Sequence, residues 1–260
     1  PGQHASVAWE RVYNTATFKQ IMEYSFLPED AIEQEIENRL LETTGLFAGS
    51  VEKNKIVADL KRHRVVYPNM STAITDVREH IAASRKVLSK TELLIFTLGL
   101  VETWHSDERG ITLSANQKYD LTCENFNFKM LNFQENYENI KYGIKTLKEN
   151  NPAAQILLTV SPVHLNKTFR NDLDVVSASC SSKSTLRAAV NEVVREEEGV
   201  YYFPSYEIVN IISSLTPMVV PYDGGYRMVL PYSDGHHVSR EIVDEIMRIF
   251  SKNTAREPNE

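Results

Sequence analysis

The residues best suited to chemistry lie near the C-terminal end, in Pro231-Tyr232-Ser233-Asp234-Gly235-His236-His237-Val238-Ser239, which runs into the helical pattern Arg240 to Met247. An Asp three residues before a His, on a loop that opens a helix, can fold back so that its carboxylate meets the imidazole. That pairing fixes the ring tautomer and leaves the other nitrogen available as a base. The three-residue spacing selects His237 over its neighbour His236. A polar turn that caps the following helix accounts for the same residues, because Asp-Gly is common turn chemistry. A zinc site at Asp234, His236 and His237 is short of ligands, and the two cysteines, Cys123 and Cys180, lie too far apart to complete one. No metal or other cofactor is therefore expected.

Two further stretches carry candidate groups. In Leu98-Gly99-Leu100-Val101-Glu102-Thr103-Trp104-His105, Gly99 would let a substrate approach the backbone, with its N–H available to a developing oxyanion. Trp104 and His105 would then wall the pocket; the plain alternative is a strand end with a glycine turn and a solvent carboxylate. In Ser181-Ser182-Lys183-Ser184, the alternative to a Ser–Lys nucleophile pair is a serine-rich helix cap. Ser182 and Lys183 are adjacent, so on a helix they would not face each other. There is no G-x-S-x-G elbow, G-x-G-x-x-G turn or Walker loop, and nothing supports nucleotide binding.

The elements that must position these groups follow from hydrophobic spacing. Helices are predicted over Thr17 to Phe26 with Thr15 or Thr17 as cap, Pro28 to Thr44, Ser71 to Lys90, Gln134 to Asn150, Thr185 to Glu198 and Val238 to Phe250. Short apolar runs, Glu92 to Gly99, Gln155 to Val160 and Val200 to Phe203, suit strands buried on both faces of a parallel sheet. Helix followed by buried strand, three times over, points to βαβ units in one domain. In such sheets the ligand crevice lies beyond the carboxyl ends of the strands. Gly99 to His105, Ser161-Pro162-Val163-His164, Phe203 to Glu207 and the Asp234–His237 loop would share that rim. The basic run Lys61-Arg62-His63-Arg64 reads as a solvated face.

Composition sets the outer limits. A chain of 260 residues that is 42% hydrophobic can bury a sizeable core without disulfide or metal. A net charge of −7 argues against a nucleic-acid binder that works by neutralising phosphates. No apolar run approaches the roughly 20 residues of a membrane span. With two cysteines and no signal-like leader, a cytoplasmic protein is the expectation.

The assembled residues resemble a known family. Thr97 to Trp104, Leu158 to Val163, Ser182 to Arg187 and Tyr202 to Ile208 are similar to successive motifs of the GSCFA family, a branch of the SGNH (GDSL-like) hydrolases. The likeness extends upstream through Val12-Tyr13-Asn14 and Arg62, and downstream through Asp234 to His237. It implies a three-layer α/β/α sandwich with a central parallel sheet of about five strands. It also implies an esterase or acetylesterase on a small-molecule or glycan ester, with His237 as base and Asp234 as its orienting acid. Gly99, Glu102, Asn14, Ser161, Ser182 and Lys183 become the oxyanion or substrate-binding candidates.

The chain departs from the family in two places. The Gly-Ser-Cys-Phe-Ala block that would hold the nucleophilic Ser does not occur in this sequence, and Ser6 has neither its flanking Gly nor a preceding apolar strand. A longer chain, with that block and the first strand before Pro1, is the expectation for an enzyme. Just before Val-Tyr-Asn, where relatives carry Gly, this chain has Glu10, a carboxylate that would oppose charge developing in an oxyanion hole. A non-catalytic binding module and an acyltransferase on the same scaffold are the alternatives.

Overall fold

The structure, a computed structural model, describes residues 9–46, 53–113, 125–212, 218–222, 224–234 and 237–254. Ser6, Phe47 to Gly49, Cys123, Gly235 and His236 lie outside them. Three strands form a parallel sheet: β4 (Leu93–Leu98), β8 (Gln155–Val160) and β9 (Val200–Tyr202), in the order β4-β8-β9. The β4–β8 register pairs Leu93 with Gln155 and Leu98 with Val160, so both strands end on one rim.

Helices pack on one face of this sheet. Among them are α1 (Thr15–Ser25), α3 (Met70–Leu88), α4 (Phe133–Asn150) and α5 (Val175–Glu196). Phe18 of α1 stacks on Phe96 of β4, with ring centroids 4.4 Å apart. Around that pair, Val77 and Ile81 of α3, Ile140 and Ile144 of α4 and Leu186 and Val190 of α5 close a core against Leu98, Ile156, Leu158 and Val160. Gly143 of α4 is the close-approach point, since a Cβ there would overlap the Phe18 ring.

The sheet is not evenly buried. The central strand β8 is buried from Ile156 to Val160, as an apolar run predicts. In β4, by contrast, Phe96 and Leu98 face the core while Leu93 and Ile95 are 41% and 50% exposed; Tyr201 of β9 is 54% exposed. A mixed α/β architecture with a parallel sheet of three strands is thus what the described residues contain.

The described residues also contain two antiparallel sheets and a hairpin: β1 (Leu40–Leu46), β2 (Lys53–Asp59) and β3 (Val66–Tyr67); β6 (Ile111–Leu113), β5 (Glu102–Ser106) and β7 (Asn127–Met130); and β10 (Met218–Tyr222) with β11 (Gly225–Val229). The predicted helix over Pro28 to Thr44 therefore ends early. A 3-10 turn at Glu29–Ala31 leads into α2 (Ile32–Arg39), and Leu40 to Thr44 pairs with Lys55 to Asp59 instead. The β-branched Thr43 and Thr44 suit that strand.

The basic run also differs from its reading. Arg62 and His63 are 3% and 2% exposed. Arg39 grips the buried Asp59 with two bonds, Nε to Oδ1 at 2.8 Å and Nη2 to Oδ2 at 2.6 Å, and Arg62 Nε adds a third at 2.7 Å. Burial alone would raise the Asp59 carboxyl, but the charge and hydrogen bonds of Arg39, then of Arg62, outweigh it and hold the group at about 2. Counter-charges from Asp59 and Asp76 are what draw this cation inward, Arg62 Nη2 lying 2.5 Å from Asp76.

Helix starts follow side-chain caps. Asn14 caps α1, ahead of the predicted Thr15 or Thr17, Asn69 caps α3, and Asn132 with Glu135 makes a capping box on α4. Asp174 caps α5, so Ser181 to Ser184 lie inside that helix and not at its start. After β9, a short turn α6 (Ser205–Glu207) continues into a π-helical turn at Ile208–Ile212, and α7 (Arg240–Thr254) ends the described chain.

Candidate active site

The Asp234–His237 loop is closed by its own backbone. Tyr232 bridges Val238, Ser233 N–H donates to His237 O at 3.0 Å, and Ser239 N–H donates to Pro231 O at 2.9 Å. Inside it, the Asp234 carboxylate takes two bonds from one residue: His237 N–H at 2.6 Å and His237 Nδ1 at 2.7 Å. A carboxylate can only accept, so Nδ1 carries a proton, and in the neutral ring Nε2 then presents a lone pair. The backbone bond sets where the ring begins, and the ring bond sets its rotation. Both side chains are open to solvent, the His237 side chain 71% and the Asp234 side chain 53% exposed.

Tyr232 ties this loop to the parallel sheet. Its hydroxyl lies 2.9 Å from Pro162 O, just beyond the end of β8, and 2.6 Å from Asn210 Oδ1. The His164 ring stands 4.7 Å from the Tyr232 ring. Burial pushes the Tyr232 phenol up to about 12, so it stays a neutral donor. Tyr232 and Asn210 escaped the sequence reading; the available signal was a Tyr two residues before Asp in a stretch otherwise made of turn formers.

The end of β4 carries the second group of candidates. Gly99 N–H donates to Tyr13 O at 2.7 Å, and Leu100 N–H reaches the same oxygen at 3.2 Å. The amide expected to face an oxyanion is thus engaged. The close approach that Gly99 permits is to Tyr13, whose O and Cβ would lie 3.3 and 3.4 Å from a Cβ at this position. On the other side, Lys183 Nζ donates to Gly99 O at 2.5 Å, and Val101 N–H donates to Ser182 Oγ at 2.9 Å. Adjacent residues of α5 therefore grip successive parts of one corner, in place of the serine-rich helix cap that the sequence suggested. Burial pushes the Lys183 ammonium down to about 8.

Residues 3–250 match the GSCFA family. The chain belongs to that family. Neither a curated protein nor a solved structure matches it.

Other GSCFA candidates are placed as follows. Asn14 is buried; its Oδ1 accepts from Thr17 N–H at 2.9 Å as the α1 cap, and its Nδ2 points to Leu113 O at 3.4 Å. Ser161 N–H extends the β4–β8 ladder by donating to Leu98 O at 2.8 Å, while its hydroxyl accepts from Val163 N–H at 3.2 Å. The Glu102 carboxylate accepts from Thr168 Oγ1 at 2.5 Å and Phe169 N–H at 3.1 Å, so it tethers the stretch after His164. Trp104 packs against Phe128 and Phe169, and His105 Nδ1 meets Thr112 Oγ1 at 2.8 Å; both sit on β5.

Gly99, Ser161, Ser182 and Lys183 thus meet at the ends of β4 and β8, and the Asp234–His237 loop is anchored just past the end of β8. Thr159 and Ser205, with hydroxyls 2.6 Å apart, extend the rim to β9, where Ser205 Oγ also reaches Val160 O at 2.9 Å. Glu10 has φ 59°, in the left-handed region that favours glycine. A glycine would adopt that conformation without strain.

Proposed function

We propose that this GSCFA protein is an ester hydrolase of the SGNH type. His237 Nε2 would take the proton from a nucleophilic hydroxyl as it attacks the ester carbonyl, and return it to the departing alkoxide. Asp234 would hold the ring and balance the imidazolium between those steps. The acyl group passes to the nucleophile and then to water. The observation that carries this reading is the double grip of Asp234 on His237, at 2.6 and 2.7 Å, on a loop pinned past the end of β8. A polar turn needs only the backbone bond; the ring bond is what a base requires. Substrates would be small O-acyl or acetyl esters, including those on carbohydrate.

A complete α/β/α sandwich of about five parallel strands is part of the same proposal. It is supported by β4 standing at the edge of the sheet among the described residues, and by the apolar Leu93, Ile95 and Tyr201 on its less covered face.

A non-catalytic binding module is the second reading. It is favoured by the commitment of the Gly99 N–H to Tyr13 O and by the acidic Glu10 beside that segment. Hydrolysis of a short-chain aryl ester by the full-length protein, nucleophile block included, separates the two, comparing it with its His237→Ala form. A rate that falls with the substitution supports the hydrolase. Equal background rates from both proteins would leave the binding module. Acyl transfer to an added alcohol in place of water would identify a transferase using the same residues.

A further inference from the structure

We propose that the open groove along α5 binds a carboxylate carried on a ring, such as a sugar acid, with Lys183 as its counter-charge. The groove has a volume of about 640 Å³. Lys183, Arg187 and Asn191 line it at successive four-residue steps, with Ser184, Ala188 and Glu192 in the parallel row. On a helix, that spacing places them on one face. Phe133 at the start of α4 and Tyr206 of α6 supply aromatic walls on which a sugar or aryl ring can lie.

Charge decides the kind of ligand. Arg187 is committed, with Nε 2.7 Å from Glu207 Oε1 and its guanidinium 4.1 Å over the Tyr202 ring. Glu192 pairs with Arg195 at 3.2 Å. Lys183 has no carboxylate partner among the described residues; its ammonium rests on the Gly99 carbonyl alone. An ammonium has three donors, and the carbonyl takes one. Lys183, 2% exposed, thus brings to the wall of the groove one positive charge that no carboxylate among the described residues balances. Burying a cation without a counter-ion is costly, whereas a neutral Gln could donate to the same carbonyl without that cost. One negative charge on the ligand restores the balance. A second would meet Glu192, which disfavours a phosphate dianion.

Lys183 remains protonated at neutral pH, since burial brings it only to about 8. The ionisable groups around the groove are Arg187 and Glu192 from α5, and Tyr206 and Glu207 from α6.

The test is calorimetric titration of the chain with sodium glucuronate at pH 7, with glucose and inorganic phosphate as comparison arms. Saturable glucuronate binding is expected, at least about tenfold tighter than either comparison, the factor that 1.4 kcal/mol produces. Lys183→Met should weaken it by about tenfold or more, with the fold checked by circular dichroism. Ala188→Glu adds a charge at an exposed groove position that folding does not depend on, and should cause a similar loss. Equal affinity for glucose, tighter phosphate binding, no saturation, or undiminished binding in the folded variants would each overturn the proposal.

Discussion

Replacing Lys183 with Met keeps most of the side-chain volume and removes a buried ammonium. Burial moves that group from 10.5 to about 8, and a difference of about 2.5 units corresponds to about 3 kcal/mol of cost to the charged form. Against this stands the bond to Gly99 O, whose loss leaves a buried carbonyl short of a donor at about 1–3 kcal/mol. The two effects oppose each other, so the variant should unfold within about 2 kcal/mol of the parent at pH 7. The pH dependence is free of that cancellation. Between about 8 and the ordinary lysine value, the unfolded chain holds a proton that the folded protein has released, so parent stability rises with pH. Denaturant unfolding of both proteins from pH 7 to pH 10 isolates the contribution, because every other group is shared. The parent should gain about 2.5 kcal/mol relative to Lys183→Met over that interval. Parallel stability profiles would refute a buried, uncompensated Lys183.

Asp59→Asn should destabilise the fold by about 3–5 kcal/mol in thermal or urea unfolding, because Arg39 and Arg62 would be left without their shared counter-charge. In the parent, the stability that Asp59 contributes is present above the ordinary carboxylate range. It should be lost as pH falls through about 2, which acid unfolding of parent and variant would report. Gly143→Ala should cost about 1–3 kcal/mol although alanine favours helix, since the new methyl overlaps the Phe18 ring stacked on Phe96. Tyr232→Phe removes the hydroxyl that anchors the Asp234–His237 loop beyond β8. Hydrogen exchange at Ser233 and His237 should accelerate and aryl-ester turnover should fall, while the rest of the fold keeps its protection.

The parallel framework was legible in the sequence because its signals are local. Gln155 to Val160 is an uninterrupted apolar run and is β8 to the residue, and α3 and α4 follow helical spacing closely. What could not be read depends on partners distant in sequence. Leu40 to Thr44 has helical apolar spacing but pairs with β2, and Arg62 is buried only because Asp59 and Asp76 meet it. The contact between Asp234 and His237 was legible from spacing, since both lie in one loop. The engagement of the Gly99 amide was not, because its acceptor is Tyr13, nor was the grip of Ser182 and Lys183 on the same corner.

The most direct test of the proposed base compares kcat/KM for a short-chain aryl ester between the full-length protein, nucleophile block included, and its Asp234→Asn form. The amide preserves the size of the side chain and can keep the bond from His237 N–H, but it no longer fixes Nδ1 as the protonated nitrogen. If Asp234 orients His237 for proton transfer, kcat/KM should fall by about 10² to 10⁴ while the fold is retained. An unchanged kcat/KM would contradict the assignment of this pair as the catalytic base and its orienting acid.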